Sequence, residues 1–272
     1  MAIPLAAEPI AHLGFLTVTN SLVNAWIVAI FLIGVAACIK FRLKSVPSGL
    51  QNLAEVVIEF FFKTADNITH DRARSKKFLP LVVTLFIFIL LNNWLGQLPG
   101  TGTWGIWQRV HGELELVPLL RPATSDLNLT LALGLFSILC THLFGVATLG
   151  IFRHTGKFIQ VGNVFRAFKK GPIGFLTGLI EFGAGLIESV GELARVASLS
   201  LRLFGNIFAG EVLMTVMLSL AAYILPLPFQ MLELLVGIIQ ATVFAMLVLV
   251  FLTIATEPPH GEHEASVQNH ST

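Results

Sequence analysis

Apolar runs long enough to span a lipid bilayer recur along this chain, and they leave little room for a water-soluble fold. Residues 21–39, 79–98, 127–151 and 229–256 each meet the roughly 20-residue length that a membrane helix needs. A fifth run, 173–225, is far longer. Composition agrees, with 55% hydrophobic and only 12% charged residues among 272. The first run lacks a small-residue cleavage site ahead of Lys40, Arg42 and Lys44, so it reads as a retained helix. Cys38 and Cys140 fall inside apolar runs, where a thiol packs as a small hydrophobe, and they imply neither a disulfide nor a metal site.

The placement of Lys and Arg sets an orientation. Segment 40–77 carries Lys40, Arg42, Lys44, Lys63, Arg72, Arg74, Lys76 and Lys77, and segment 152–170 carries Arg153, Lys157, Arg166, Lys169 and Lys170. Both belong on the cytoplasmic side. The stretch before Ser21 has neither residue type, and the loop 99–125 has only Arg109 and Arg121, so both belong outside. This alternation puts the N-terminus outside and the tail 257–272 in the cytoplasm.

Between the first two spans, Glu55, Glu59, Lys63, Asp66 and His70 share one helical face, while Leu53, Val57, Phe61, Ala65 and Ile68 share another. An amphipathic helix over 50–71 follows, suited to the cytoplasmic membrane surface or to other subunits. Pro and Gly mark 99–125 as an external loop, with Trp94, Trp104 and Trp107 suited to the interfacial belt. Ser125 and Asp126 precede the third span and suit a helix N-cap.

The run 173–225 holds no proline, so one helix, or two in direct continuation, is expected over 173–224. At about 1.5 Å per residue it would reach about 75 Å, against a hydrocarbon core of about 30 Å. It must tilt strongly or run near the cytoplasmic leaflet before entering. Pro226 and Pro228 are expected to end it, and the last helix, 229–256, then returns antiparallel. Measured from those prolines, a symmetric hairpin would set Gln240 opposite residues near Met214. In the tail, His260, His263 and His270 lie near Glu262 and Glu264, where a solvated tail is a better reading than a metal site.

Charges inside these runs carry the function. Glu181, Glu188, Arg195 and Arg202 follow at intervals of seven, which drifts only about 20° per interval around a helix. Ser198 and Asn206 flank Arg202 one turn to either side, while Glu211 points to the opposite face. On the returning helix Glu233 and Gln240 are again seven apart. Glu188 and Glu192 can hold Arg195 at helical spacing. Arg202 has no carboxylate three or four residues away, and a guanidinium at membrane depth costs about 2.5 to 3.5 kcal/mol or more. A carboxylate from another helix or another chain is implied. No phosphate-binding loop, HExxH pair or serine elbow is present, and His142 in the third span suits a packed or capping role.

The segment SLSLRLFGNIFAGE at 198–211 resembles the penultimate helix of subunit a of the rotary F-type ATP synthase, bacterial type. TLFIFILLNNWLGQLP at 84–99, SDLNLTLALGLF at 125–136 and IIQATVFAMLVLVFLTIA at 238–255 are similar to further segments of that family. The resemblance implies an all-α membrane protein of five embedded helices plus a surface helix, its last two helices a long tilted hairpin against a rotating ring of carboxylate-bearing subunits. It implies that Arg202 is the essential arginine, and that Asn206, Gln240, Glu188, Glu211 and Glu233 occupy the family's polar positions along the ion path. Asp126 matches an acidic position near the external inlet, and Ser198 lies on the Arg202 stripe. Glu at both 211 and 233 departs from the more familiar pair of an acid and a His.

By resemblance the partners are the c-ring, subunit b, the rest of the FoF1 complex and the lipid bilayer of a bacterial plasma membrane, with no nucleic acid and no cofactor. The expected role is non-catalytic, the passage of H⁺ or Na⁺ to and from ring carboxylates. A transporter or channel of another kind would show internal repeats or broken helices, and an intramembrane enzyme would need a nucleophile or metal cluster at depth.

Overall fold

The computed structural model describes residues 7–13, 16–98, 105–110, 113–118, 121–151, 154, 172–221 and 224–257. A short antiparallel hairpin, β1 (Pro9–Leu13) and β2 (Leu16–Thr19), leads into α1 (Asn20–Phe41), and α2 (Leu50–Thr69) and α3 (Arg72–Gln97) follow. A second hairpin, β3 (Gly105–Val110) and β4 (Glu113–Pro118), precedes a 3-10 turn at Ala123–Ser125. Three helices complete the chain: α4 (Leu127–Leu149), α5 (Pro172–Leu220) and α6 (Pro226–Thr256). Helices α1, α3, α4, α5 and α6 are long and apolar enough to cross a membrane, which agrees with an all-α membrane protein.

Local chemistry sets the helix ends. Thr19 caps α1 through Oγ1, which accepts from the Leu22 amide at 3.3 Å. Asp71 caps α3 in the same way, its Oδ1 accepting from the Ala73 amide at 2.8 Å. That cap starts α3 seven residues before its apolar run, so Arg72, Arg74, Lys76 and Lys77 lie in the helix. The hairpin β3–β4 occupies part of the segment expected to be loop, and β1–β2 is likewise absent from the sequence reading.

The end of α5 corrects another expectation. The helix stops at Leu220, before the prolines, and Pro226 opens α6. Proline is tolerated in a first helical turn, where its missing N–H would lack an intrahelical partner anyway. The reversal therefore falls between Leu220 and Pro226, ahead of where the prolines would put it. Gln240 consequently faces Asn206 rather than residues near Met214, and the longer loop ahead of the prolines supplies that offset.

The chain divides into two compact units, Met1–Leu133 with Leu199–Leu249, and Gly134–Ser198 with Val250–Thr272. In the first, α2 packs on α3 through Phe61, Phe78, Val82 and Phe86, with the Phe61 and Phe86 rings 4.8 Å apart. The other face of α2 is open and carries the Glu59–Lys63 pair at 2.8 Å. Leu203 and Ile207 on α5 and Ala241, Phe244, Ala245 and Val248 on α6 are buried. In the second unit, Gly145 lies so close to the His154 ring that no Cβ would fit there. The tail histidines and Lys157, Arg166, Lys169 and Lys170 lie outside the described residues.

Candidate functional site

Arg202 is exposed on α5 and makes no hydrogen bond or ion pair among the described residues. The residues behind it, Leu199, Leu203 and Ile207, are buried. Their helical spacing turns the guanidinium outward. One turn on, Asn206 Nδ2 donates to Gln240 Oε1 at 2.6 Å. The Gln240 side chain is buried, and its Nε2 has no acceptor among the described residues. A donor unmet in an apolar wall is costly, so this amide is set to meet an acceptor from water or another chain.

A cavity of about 440 Å³ opens beside this pair, lined by Asn206, Ala209, Gly210, Leu213, Glu233 and Gln240 among others. Glu233 is buried in its wall, and Gln97 Nε2 donates to Glu233 Oε2 at 2.7 Å. A Cβ at position 210 would overlap the Glu233 carboxyl, so glycine is what lets that group reach α5. Helix α3 holds the opposite side of α6. Trp94 Nε1 donates to the Leu234 carbonyl at 3.1 Å, and Asn93 Nδ2 to the Gly237 carbonyl at 3.4 Å.

Glu211 meets an arginine that the sequence reading placed in an external loop. Arg121 is only 4% exposed, and its Nε and Nη2 donate to Glu211 Oε1 and Oε2 at 2.9 and 3.0 Å. This two-pronged geometry suits a guanidinium and a carboxylate. The signal for it is the position of Arg121, directly before Pro122 and the turn leading into α4. Asp126 is buried there too. Its Oδ1 accepts from the Asn128 amide at 2.9 Å as a helix cap, and its Oδ2 accepts from Ser21 Oγ at 2.8 Å.

The remaining sequence candidates belong to the other unit. Ser198 is exposed and Glu188 half-buried on α5, both in the second unit. There Arg195 Nη1 donates to Glu192 Oε1 at 2.5 Å and lies 5.2 Å from the Phe251 ring centroid. His142 Nδ1 lies 3.1 Å from His154 Nε2. Sequence reasoning thus missed Arg121, Gln97, Gly210 and His154, all of which act by tertiary contact. No group of three or more metal-ligating side chains occurs among the described residues.

The sequence profile of the ATP synthase A chain family matches residues 22–253. An ATP synthase subunit a 1 from Syntrophotalea carbinolica is 33% identical over 253 residues, covering 93% of this chain and 91% of that protein. The ATP synthase subunit a of Moorella thermoacetica is 32% identical, with 89% and 93% covered, and that of Syntrophobacter fumaroxidans is 34% identical, with 86% and 83% covered. These likenesses run through the helices that carry Arg202, Asn206, Glu211, Glu233 and Gln240, and the chain belongs to the ATP synthase A chain family.

Proposed function

We propose that this chain is the ion-conducting stator subunit of an ATP synthase membrane sector, with Arg202 facing the carboxylates of a rotating ring. One observation carries the reading: Arg202 stands exposed and unpaired on an apolar helix, beside the polar pair of Asn206 and Gln240. In a bilayer such a charge needs a carboxylate, and none among the described residues pairs with it. Family membership supports a ring subunit as its source.

The physics of the exchange is direct. A ring carboxylate facing lipid is favoured in its protonated or ion-bound form, because desolvation disfavours the anion. Opposite Arg202 the anion is favoured instead. The carboxylate can release its ion on one side of the arginine and reload on the other, provided two aqueous half-channels end at different depths. Arginine suits the barrier because it keeps its charge and relays no proton. One charge crossing 100 mV releases about 2.3 kcal/mol, so a ring that adds many transfers is needed to drive one ATP synthesis.

The cavity beside Glu233 and Gly210 suits the outer half-channel, with Asp126 nearer its mouth. Glu188 and Ser198 belong to the inner one. Helices α5 and α6 then act as a tilted hairpin along the ring and α2 lies on the cytoplasmic surface, with subunit b among the neighbours. The N-terminus is outside, the C-terminus in the cytoplasm of a bacterium, and the carried ion is H⁺. ATP chemistry belongs to other subunits.

Arg202→Ala in the reconstituted complex tests this reading. ATP-driven pumping is expected to vanish while the complex still assembles with its ring. Unchanged pumping would overturn the assignment.

A further inference from the structure

The family resemblance sets both Glu211 on α5 and Glu233 on α6 along the ion path, yet two adjacent residues at the end of α3 treat these carboxylates differently. All of them belong to the unit Met1–Leu133 with Leu199–Leu249. Gln97 Nε2 donates to Glu233 Oε2 at 2.7 Å. Gly96, the residue before it, lets Pro122 come in against α3, since a Cβ there would overlap the Pro122 backbone. The turn that follows is closed by the Ser125 amide and hydroxyl, which donate to the Pro122 carbonyl at 3.0 and 2.9 Å. Arg121 directly precedes that pinned proline, and its guanidinium engages both oxygens of Glu211, at 2.9 and 3.0 Å.

We infer that Arg121 is a positioning residue, which withdraws Glu211 from the ion path as a structural anion and leaves Glu233 as the carboxyl that serves the cavity. This rests on the ion-translocating role proposed above. Glu233 is the one acidic residue among those lining the cavity beside Asn206, and Glu211 is not among them. The two groups are nonetheless close, because the Glu233 carboxyl lies against Gly210, the residue before Glu211. Carboxylates this near at membrane depth repel each other, so a fixed cation beside one makes room for the other.

The chemistry of the two partners separates the roles. A guanidinium has donors and no acceptor, so Arg121 can bond the Glu211 anion but offers nothing to a carboxylic O–H. An amide has both. Gln97 Nε2 bonds the Glu233 carboxylate, and Gln97 Oε1, buried and without a donor among the described residues, can receive the O–H once Glu233 is protonated. Each proton that Glu233 takes up from water entering the cavity is passed on, and the side chain ends each passage as it began. Arg121 holds its place throughout, being only 4% exposed and joined to a segment fixed by Gly96 and the turn at Ala123–Ser125.

The test uses the whole complex reconstituted in vesicles and reads ATP-driven pumping per assembled complex. Arg121→Gln and Glu211→Gln each leave one member of the pair without its partner, and each is expected to lower pumping by about tenfold. Combining them should recover most of that loss, because two amides can bond each other. A carboxylate that carried the ion could not be rescued by removing its partner. Glu233→Gln should lower pumping by about a hundredfold, as expected for loss of a proton-transfer group, and adding Arg121→Gln should not restore it. A double variant as poor as Glu211→Gln would overturn the inference, as would single variants of the pair, or Glu233→Gln, that pump like the unaltered protein. If the double variant does not assemble, Arg121→Glu with Glu211→Arg takes its place, which keeps the pair with its ends exchanged. Pumping no better than that of either single exchange, or failure to assemble, would overturn the inference as well. Arg202→Ala that still pumps would sink the function proposed above, whereas a failed rescue alone would sink only the role of Arg121.

Discussion

Arg202 and Arg121 show two fates for a buried-segment arginine. Arg202 was legible in sequence because intervals of seven put it on one stripe with Glu188 and Arg195, and because no carboxylate lies within a turn of it. Arg121 was read as a loop cation, since its partner Glu211 is 90 residues away. The Arg121–Glu211 pair has side chains 4% and 23% exposed, so removing one member strands a charge in a poorly solvated place. Breaking such a pair costs about 3 to 5 kcal/mol when fully buried, and partial exposure of Glu211 places this one toward the lower end. Arg121→Gln should therefore lower the temperature at which the purified complex dissociates. Adding Glu211→Gln should recover part of that loss, because two neutral amides can bond each other. A double variant no more stable than the single one would show that the ion pair is not what Arg121 contributes.

At the scale of elements, apolar length predicted the five membrane-capable helices, but turn chemistry placed their ends. Pro226 was read as a stop for the preceding helix, whereas it starts the next one, and the difference of about four residues moves Gln240 by two turns along α5. The hairpins β1–β2 and β3–β4 left little trace because short strands among Gly, Trp and Pro lack a sustained period. The α5–α6 register is open to direct measurement. With Cys38 and Cys140 replaced by Ala, Asn206→Cys and Gln240→Cys should be bridged by a short bifunctional thiol reagent. Met214→Cys with Gln240→Cys should not, since 8 residues of helix separate Met214 from Asn206 by about 12 Å. Bridging of the second pair in preference to the first would restore the register centred on the prolines.

For the whole molecule, the topology proposed from the Lys and Arg pattern needs the five apolar helices to make an odd number of crossings. Helix α5 has 49 residues, about 74 Å at 1.5 Å per residue, yet it must count as one crossing for the pattern to hold. On the proposed topology it does so only if much of its length runs obliquely, which would set Glu188 and Arg202 at different depths in the bilayer. In the same cysteine-free background, Ala7→Cys should react with a membrane-impermeant maleimide only from the outer face. Ser48→Cys, between α1 and α2, and Ser266→Cys, in the tail, should react only from the cytoplasmic face. If Ala7→Cys and Ser266→Cys reacted from the same face, α5 would cross twice or not at all. Arg202 and Glu188 would then lose the difference in depth that two half-channels require.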